Sequence, residues 1–213
     1  ESPAYRPPFP PHTFALMVGN LATHKNVGPV ATALAEAGIP VAVVGAEQDR
    51  VFRRSVISES SNLKLLGRVD DAELQRLYAD AGVLVASSRY EGFGIPIIEA
   101  GRLGCPTVFA LGSALTEVAG DGGLGFDPGD NGECVKLVQD ILADSSLRAD
   151  LSARARANAD RFSWDRSAAT IFNDRTRVVR VLHVTETFAA ATGPAAIEYA
   201  RATNNHPLAS LLP

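Results

Sequence analysis

The sequence predicts an α/β protein built on a Rossmann-like, doubly wound parallel sheet, and two patterns support this prediction. Short apolar segments alternate with longer amphipathic ones along most of the chain, as expected of strands joined by helices. The apolar segments are unbroken, as in Gly82-Val83-Leu84-Val85-Ala86, which is typical of parallel strands buried on both faces. Helices are therefore expected on both sides of the sheet.

Six strands are predicted from these apolar segments. They are placed at about 15–18, 41–44, 63–66, 83–86, 107–110 and 124–126. Between them, the segment 26–38 has alanine-rich helical periodicity and ends at a glycine, and 70–73 opens a helix with an acidic first turn. From Asn131 to about Thr176 the pattern is helical. The helices predicted there are at 134–142, 146–161 and 164–173.

Both ends of the chain are predicted to lie outside the central domain, which covers 14–177. The first eleven residues hold five prolines, so 1–13 is expected to be an extended lead-in, with a proline-rich docking ligand as the alternative. A new strand is predicted at 178–188, followed by a loop and a helix at 195–202. Residues 178–213 are too few for a second domain of this kind, so we expect a piece of a longer, tandem protein. Alternatively, the tail docks on its own domain as an extra strand.

One predicted turn, which leads from a strand into a helix, carries residues suited to ligand binding. Gly92 and Gly94 let the backbone approach a ligand closely, and Pro96 suits the first position of a helix, whose free N–H groups attract anions. Glu91 precedes the glycines, and Glu99 is expected in or near the first helical turn, where a carboxylate can bind vicinal hydroxyls. A structural role for either glutamate is equally open, because the helix dipole favours acidic residues in a first turn.

The segment Glu91-Gly-Phe-Gly-Ile-Pro-Ile-Ile-Glu99 resembles the E-x7-E signature of the family 4 retaining glycosyltransferases, which have the two-domain GT-B fold. The resemblance extends from about Phe14 to Arg177, and the order and spacing of further segments fit it. These segments are Val18-Gly-Asn-Leu-Ala-Thr-His-Lys-Asn26, Leu65-Leu-Gly-Arg-Val69, Gly104-Cys-Pro-Thr-Val108, the loop Glu117-Val-Ala-Gly120 and Phe162-Ser-Trp164. The resemblance implies that this chain is the C-terminal, donor-binding half of such an enzyme.

The resemblance also implies roles for individual residues. Lys25 would neutralise the diphosphate of a nucleotide sugar, Glu91 would contact the donor sugar, and Glu99 would hold the ribose; Lys25 and Glu91 would be the catalytic pair. The implied donor-binding residues are Gly19, Asn20, Lys25, Gly67, Arg68, Val69, Glu91, Gly92, Phe93, Gly94, Ile95 and Glu99. Many members carry an arginine at a position matching Asn20 or His24, neither of which has a permanent charge. Arg68 is either the replacement cation or a solvated loop residue.

The function implied by the resemblance is retaining hexosyl transfer from a nucleotide-diphosphate sugar to a glycan or lipid-linked acceptor, with no cofactor or metal ion. The domain that binds the acceptor is missing, and 178–213 resembles the start of another glycosyltransferase N-terminal domain, so this fragment is expected to be inactive alone. The alternatives are a non-catalytic nucleotide-sugar binding module and a sugar-nucleotide epimerase or phosphorylase of the same fold. A dehydrogenase is disfavoured because no Gly-x-Gly-x-x-Gly follows the first strand.

Composition disfavours several other classes of protein. A formal net charge of −4 with scattered arginines argues against nucleic-acid binding. No apolar run approaches the roughly 20 residues that span a bilayer, so membrane association is expected to be peripheral at most, at the inner face. No secretory signal begins the sequence. Cys105 and Cys134 lack metal-type spacing and are expected to be reduced thiols of a cytoplasmic protein.

Overall fold

The computed structural model describes residues 5–45 and 60–173, with side chains as far as residue 170. Its strands are β1 (Ala15–Val18), β2 (Val41–Val44), β3 (Leu63–Gly67), β4 (Val83–Ala86), β5 (Thr107–Ala110) and β6 (Gly123–Phe126). Its helices are α1 (Val27–Glu36), α2 (Asp71–Asp80), α3 (Ile95–Arg102), α4 (Ala114–Ala119), α5 (Asn131–Ala143), α6 (Ser145–Ala159) and α7 (Trp164–Asn173). One compact unit ends at Phe162, and α7 lies in a second unit, which begins at Ser163.

The six strands form one parallel sheet in the order β3-β2-β1-β4-β5-β6. The chain moves outward in one direction from β1 to β3, then returns to the centre and moves outward in the other direction from β4 to β6. This is the doubly wound order of a Rossmann-like fold, so the predicted fold class is confirmed.

Both faces of the sheet are buried, which explains the unbroken apolar strands. Successive strand residues point to opposite faces. Along β1, Ala15 and Met17 belong to an apolar cluster that includes residues of α1 and α5. Leu16 belongs to a second cluster, which includes residues of α2, α3 and α4. Alternate residues of one strand therefore anchor two layers of helices.

Several element ends differ from the prediction, and capping explains why two helices begin earlier than predicted. Strand β3 runs one residue further than expected, and β6 begins one residue earlier. Helix α5 extends beyond the predicted 134–142 at both ends, and α6 is shifted from 146–161 to 145–159. The Asp130 carboxylate accepts a hydrogen bond from the Glu133 N–H at 3.0 Å, and Asp144 accepts from Ser146 and Leu147 in the same way. These aspartates begin each helix earlier than the apolar pattern does.

Two expectations around α3 and α4 are wrong. Helix α3 begins at Ile95, so Pro96 occupies its second position and not its first. The expected loop at 117–120 instead begins with the last three residues of α4. The Ser113 hydroxyl caps α4 by accepting a hydrogen bond from the Leu115 N–H at 3.4 Å.

The described part of the proline-rich segment, 5–13, packs against the first unit. The Tyr5 hydroxyl donates to the Asp80 carboxylate at 2.9 Å, and the Lys64 ammonium donates to the Pro8 carbonyl at 2.5 Å. Tyr5 and Phe9 also pack on the second apolar cluster, which includes residues of α2, α3 and α4 and is called the cluster beneath α2 from here on. The aromatic residues between the prolines give this segment apolar surface to bury, so it is part of the same unit.

The strand and helix predicted from residue 178 onward lie outside the described residues. In the described ranges, no helix has the length and hydrophobicity required to cross a membrane.

Replacing Gly101 by alanine should destabilise the protein. A Cβ added at Gly101, on α3, would lie 2.8 Å from the Ala155 carbonyl oxygen of α6, so the two helices would have to separate. We expect the free energy of unfolding to fall by about 1–3 kcal/mol in chemical denaturation. Gly92→Ala is the control, because nothing lies within 4 Å of its added Cβ. Equal stability of the two variants would show that α3 and α6 are not in close contact.

Candidate functional site

The candidate site lies where the strand order reverses, at the carboxyl ends of β1 and β4. Ligands of open parallel sheets bind in the crevice at such a point. The loops that leave the two strands are joined by hydrogen bonds. The Ser87 hydroxyl donates to the Lys25 carbonyl at 2.8 Å, and the Arg89 N–H donates to the His24 carbonyl at 2.8 Å. These contacts hold the two sides of the crevice at a fixed separation.

A cavity of about 260 Å³ opens between the two loops. Apolar side chains form most of its wall, and Lys25 and Glu91 place charges in it. Its lining residues are Val18, Lys25, Val27, Leu84, Val85, Ala86, Ser87, Ser88, Glu91, Phe93, Gly94, Ile95, Pro96, Ile97 and Leu115. The ring of Phe93 stands edge-on to the ring of Phe162, with 5.8 Å between centroids, so Phe162 packs against one of the lining side chains.

Lys25 and Glu91 form an ion pair in this cavity. The Lys25 ammonium lies 2.5 Å from Oε2 of Glu91, and the two side chains are 24% and 22% exposed. Burial by itself would raise the pKa of Glu91. The hydrogen bond and the charge of Lys25, together with a hydrogen bond from the Ser88 side chain, outweigh burial and hold that pKa below its ordinary value. Glu91 is therefore an ionised carboxylate at neutral pH.

The N-terminus of α3 faces the same cavity. Gly94 precedes the helix with φ +102°, and a Cβ at this position would lie 2.6 Å from a side-chain carbon of Leu115. Both the conformation and the space therefore require glycine. Among the described residues, the N–H groups of Gly92, Phe93 and Gly94 have no hydrogen-bond acceptor. Free N–H groups at a helix N-terminus favour an anion.

Glu99 lies on α3 outside the residues that line the cavity. It is the fifth residue of the helix, directly after the first turn and so near it as expected, and the dipole argument for a structural role weakens accordingly. Its side chain is exposed, and its Oε2 accepts a hydrogen bond from the Tyr78 hydroxyl at 2.9 Å.

The other predicted residues lie beside the cavity, at the same edge of the sheet. The Gly19 N–H donates to the Val44 carbonyl at 3.0 Å, and the Gly45 N–H donates to the Gly67 carbonyl at 2.7 Å, so the ends of β1, β2 and β3 adjoin. Asn20, His24 and Arg68 are exposed, and Val69 packs on the cluster beneath α2. Lys25, Glu91, Phe93, Gly94 and Ile95 are thus brought together in the cavity, whereas Gly19, Asn20, Gly67, Arg68, Val69, Gly92 and Glu99 are not among its lining residues.

Sequence reasoning gave no role to four residues that the structure places at or behind the site. Ser87 and Ser88 are buried beside the ion pair, Leu115 comes from α4, and Tyr78 lies behind Glu99. The two serines could have been predicted from the sequence as site residues, since hydroxyls directly after a buried strand lie at the edge where ligands bind. Tyr78 carries no such signal, because a tyrosine on an amphipathic helix is typical of a core position.

Comparisons with known proteins agree with this geometry. The family model for glycosyl transferases group 1 matches residues 7–158. The O-antigen chain mannosyltransferase B of Escherichia coli is 40% identical over 111 residues, which are 52% of this chain and 29% of that protein. The chain therefore spans less than a third of that relative's length.

Solved structures share the fold at low sequence identity. Sucrose-phosphate synthase from Thermosynechococcus elongatus superposes with a TM-score of 0.69 at 22% identity, over 79% of this chain and 46% of that one. The C-terminal domain of a group 1 glycosyl transferase family protein from Francisella tularensis superposes with a TM-score of 0.58 at 16% identity, over 70% of this chain and 86% of that domain.

The ion pair should make stability depend on pH through Glu91. Because the pKa of Glu91 is depressed in the folded state, the ionised form contributes stability above the pKa of an unfolded glutamate, and that contribution is lost as the pH falls through the folded pKa. Urea unfolding should therefore show Glu91→Gln less stable than the wild type at pH 7, with the difference shrinking as the pH falls below the pKa of an unfolded glutamate and through the folded pKa of Glu91. Glu36→Gln, at the exposed end of α1, is the control and should show no such change. A difference that persists in acid would contradict the pairing.

Proposed function

The chain belongs to the glycosyl transferases group 1, and from that premise we propose that this domain binds a nucleotide-diphosphate sugar for retaining hexosyl transfer. One observation supports the proposal above the others. A lysine, a carboxylate and a row of free N–H groups converge on one cavity at the reversal of strand order. Such a set suits a ligand that carries a diphosphate next to sugar hydroxyls.

The diphosphate is the part of the donor that Lys25 and α3 would hold. Departure of the nucleoside diphosphate builds negative charge on its oxygens, and fixed donors aimed at those oxygens lower the barrier. The ammonium of Lys25 supplies a positive charge, and the N–H groups of Phe93 and Gly94, which line the cavity, supply hydrogen bonds. We expect these groups to offset the charge of the leaving diphosphate with no metal ion.

Donor binding requires Lys25 to exchange its partner. In this structure the ammonium contacts Glu91 at 2.5 Å, so a diphosphate oxygen that binds Lys25 competes with that carboxylate. Glu91, once released, accepts hydrogen bonds from hydroxyls of the donor sugar, which lies beyond the phosphates. The cavity therefore holds Glu91 ionised and ready to accept before the donor arrives.

We assign the nucleoside to the edge formed by the ends of β1 and β3. Glu99 binds the ribose hydroxyls there, and the base lies against the segment from Gly67 to Val69. The backbone at Gly67 has φ +64°, and a Cβ on it would meet nothing within 4 Å, so a planar base can approach this turn closely. Arg68 is exposed beside it.

We propose mannose as the transferred sugar and a glycan or lipid-linked acceptor in polysaccharide biosynthesis. The proposal rests on the 40% identity to a protein named O-antigen chain mannosyltransferase B. The acceptor is assigned to a second domain of the two-domain fold. The 213-residue chain should therefore bind the donor without transferring it.

Removing the charge of Lys25 should weaken nucleotide binding. Hydrogen bonds to charged groups contribute about 1.5–3 kcal/mol, so Lys25→Ala should lower the affinity for the best of UDP, GDP and ADP at least about tenfold in calorimetric titration. Lys136→Ala removes the same charge from an exposed position on α5 and is the control. Unchanged affinity in Lys25→Ala would remove the lysine from the proposed site.

Glu91→Gln should change the affinity for the nucleotide sugar and the affinity for the nucleoside diphosphate in different ways. The substitution frees Lys25 from its ion pair, so the affinity for a nucleoside diphosphate without a sugar should stay equal or rise. The affinity for the matching nucleotide hexose should fall, because an amide is a weaker acceptor than a carboxylate for sugar hydroxyls. The ratio of the two affinities is the readout. If both affinities fall together, as expected for Lys25→Ala, Glu91 has no contact with the sugar.

A further inference from the structure

We infer that Tyr78 is a positioning residue, which holds the carboxylate of Glu99 in the orientation that receives a ribose. The inference rests on the proposed function of this domain. Tyr78 belongs to α2 and Glu99 to α3, so the hydrogen bond between them joins two helices at 2.9 Å.

The two partners differ sharply in exposure. Tyr78 is 1% exposed and packs in the cluster beneath α2 with Leu77 and Ile97, whereas Glu99 is exposed. A tyrosine ring fixed in the core presents its hydroxyl at one place only. The direction of the hydrogen bond is therefore set by the packing of the ring and not by the mobile side chain of the glutamate.

The bond occupies one oxygen of the carboxylate and leaves the other available. Oε2 of Glu99 accepts from Tyr78, and Oε1 accepts no hydrogen bond from any described residue. A free glutamate side chain loses rotamer freedom when a ligand fixes it, and that loss opposes binding. Because Tyr78 has already restricted Glu99, a ribose meets a carboxylate that is largely ordered.

Tyr78 remains a hydrogen-bond donor throughout the working pH range. Burial of the hydroxyl, followed by the charge of Glu99 and the hydrogen bond to it, raises the pKa of Tyr78 far above its ordinary value. The hydroxyl is also shielded from water, so Glu99 is its partner in the folded protein. The pair therefore persists in the absence of ligand.

The test is the Tyr78→Phe variant of the 213-residue chain, which keeps the packed ring and removes the hydroxyl. Calorimetric titration with UDP, GDP and ADP, each compared with its 2′-deoxy and 3′-deoxy forms, measures how strongly the ribose hydroxyls contribute. We expect the preference for the ribose form of the bound nucleotide to fall by about three- to tenfold. The affinity for the deoxy forms should change little, because each of those forms lacks one of the hydroxyls that Glu99 would bind.

Tyr5→Phe is a matched control. Tyr5 also donates its hydroxyl to a carboxylate, that of Asp80, at the same distance of 2.9 Å but in the segment before β1. Its loss should leave the ribose preference unchanged. In a Glu99→Ala background, Tyr78→Phe should have no further effect on that preference, since the carboxylate that Tyr78 positions is gone.

The outcomes separate the inference from the proposed function. If the wild type discriminates ribose from deoxyribose and Tyr78→Phe discriminates equally well, the inference is overturned while nucleotide binding stands. An equal loss of affinity for ribose and deoxy forms shows a purely structural role and also overturns it. If the wild type binds none of the nucleotides, the proposed function fails, and the inference fails with it.

Discussion

The parallel pairing of β1 with β4 is the constraint on which the rest of this domain depends. The two strands are adjacent in the sheet although about 65 residues separate them in the chain, and their register aligns Ala15 with Val83. That alignment brings the loops after both strands to one edge, where Lys25 meets Glu91. The apolar clusters above and below fix the strands, and the strands fix the separation of the two charges. The candidate site is thus a product of core packing.

The two glutamates at this edge are held by different physical means. Glu91 is half-buried and ionised through a lysine, a contact that a competing anion can open. Glu99 is exposed and is held by a neutral hydroxyl that comes from the core. An ion pair yields to another charge, whereas the tyrosine bond leaves one oxygen of its carboxylate unused. Glu91 is therefore suited to an exchange of partners and Glu99 to a fixed role, although the two residues are only eight positions apart in the sequence.

The sequence was most informative where one local property decides the structure. The strand at 83–86 follows from an apolar run that suits burial on both faces, and the helix at 71–80 follows from Asp70 and an acidic first turn. Helix ends near Asp130 and Asp144 were misplaced, because an aspartate favours a cap and a loop alike. The contact between Lys25 and Glu91 depends on strand order, which no local pattern encodes; the family resemblance placed both at the donor. The Tyr78 hydroxyl was missed, because the same residue satisfies the pattern of a core position.

The proline-rich segment before β1 sets how short a folded version of this domain can be. Tyr5 and Phe9 cover part of the apolar cluster under α2, and Tyr5 donates to Asp80 at the C-terminal end of that helix. Tyr78, two residues earlier on α2, reaches Glu99. A truncated chain that began at the first strand would leave this apolar surface in water. A shortened version of the domain should therefore keep the segment that begins at Tyr5, which covers this surface.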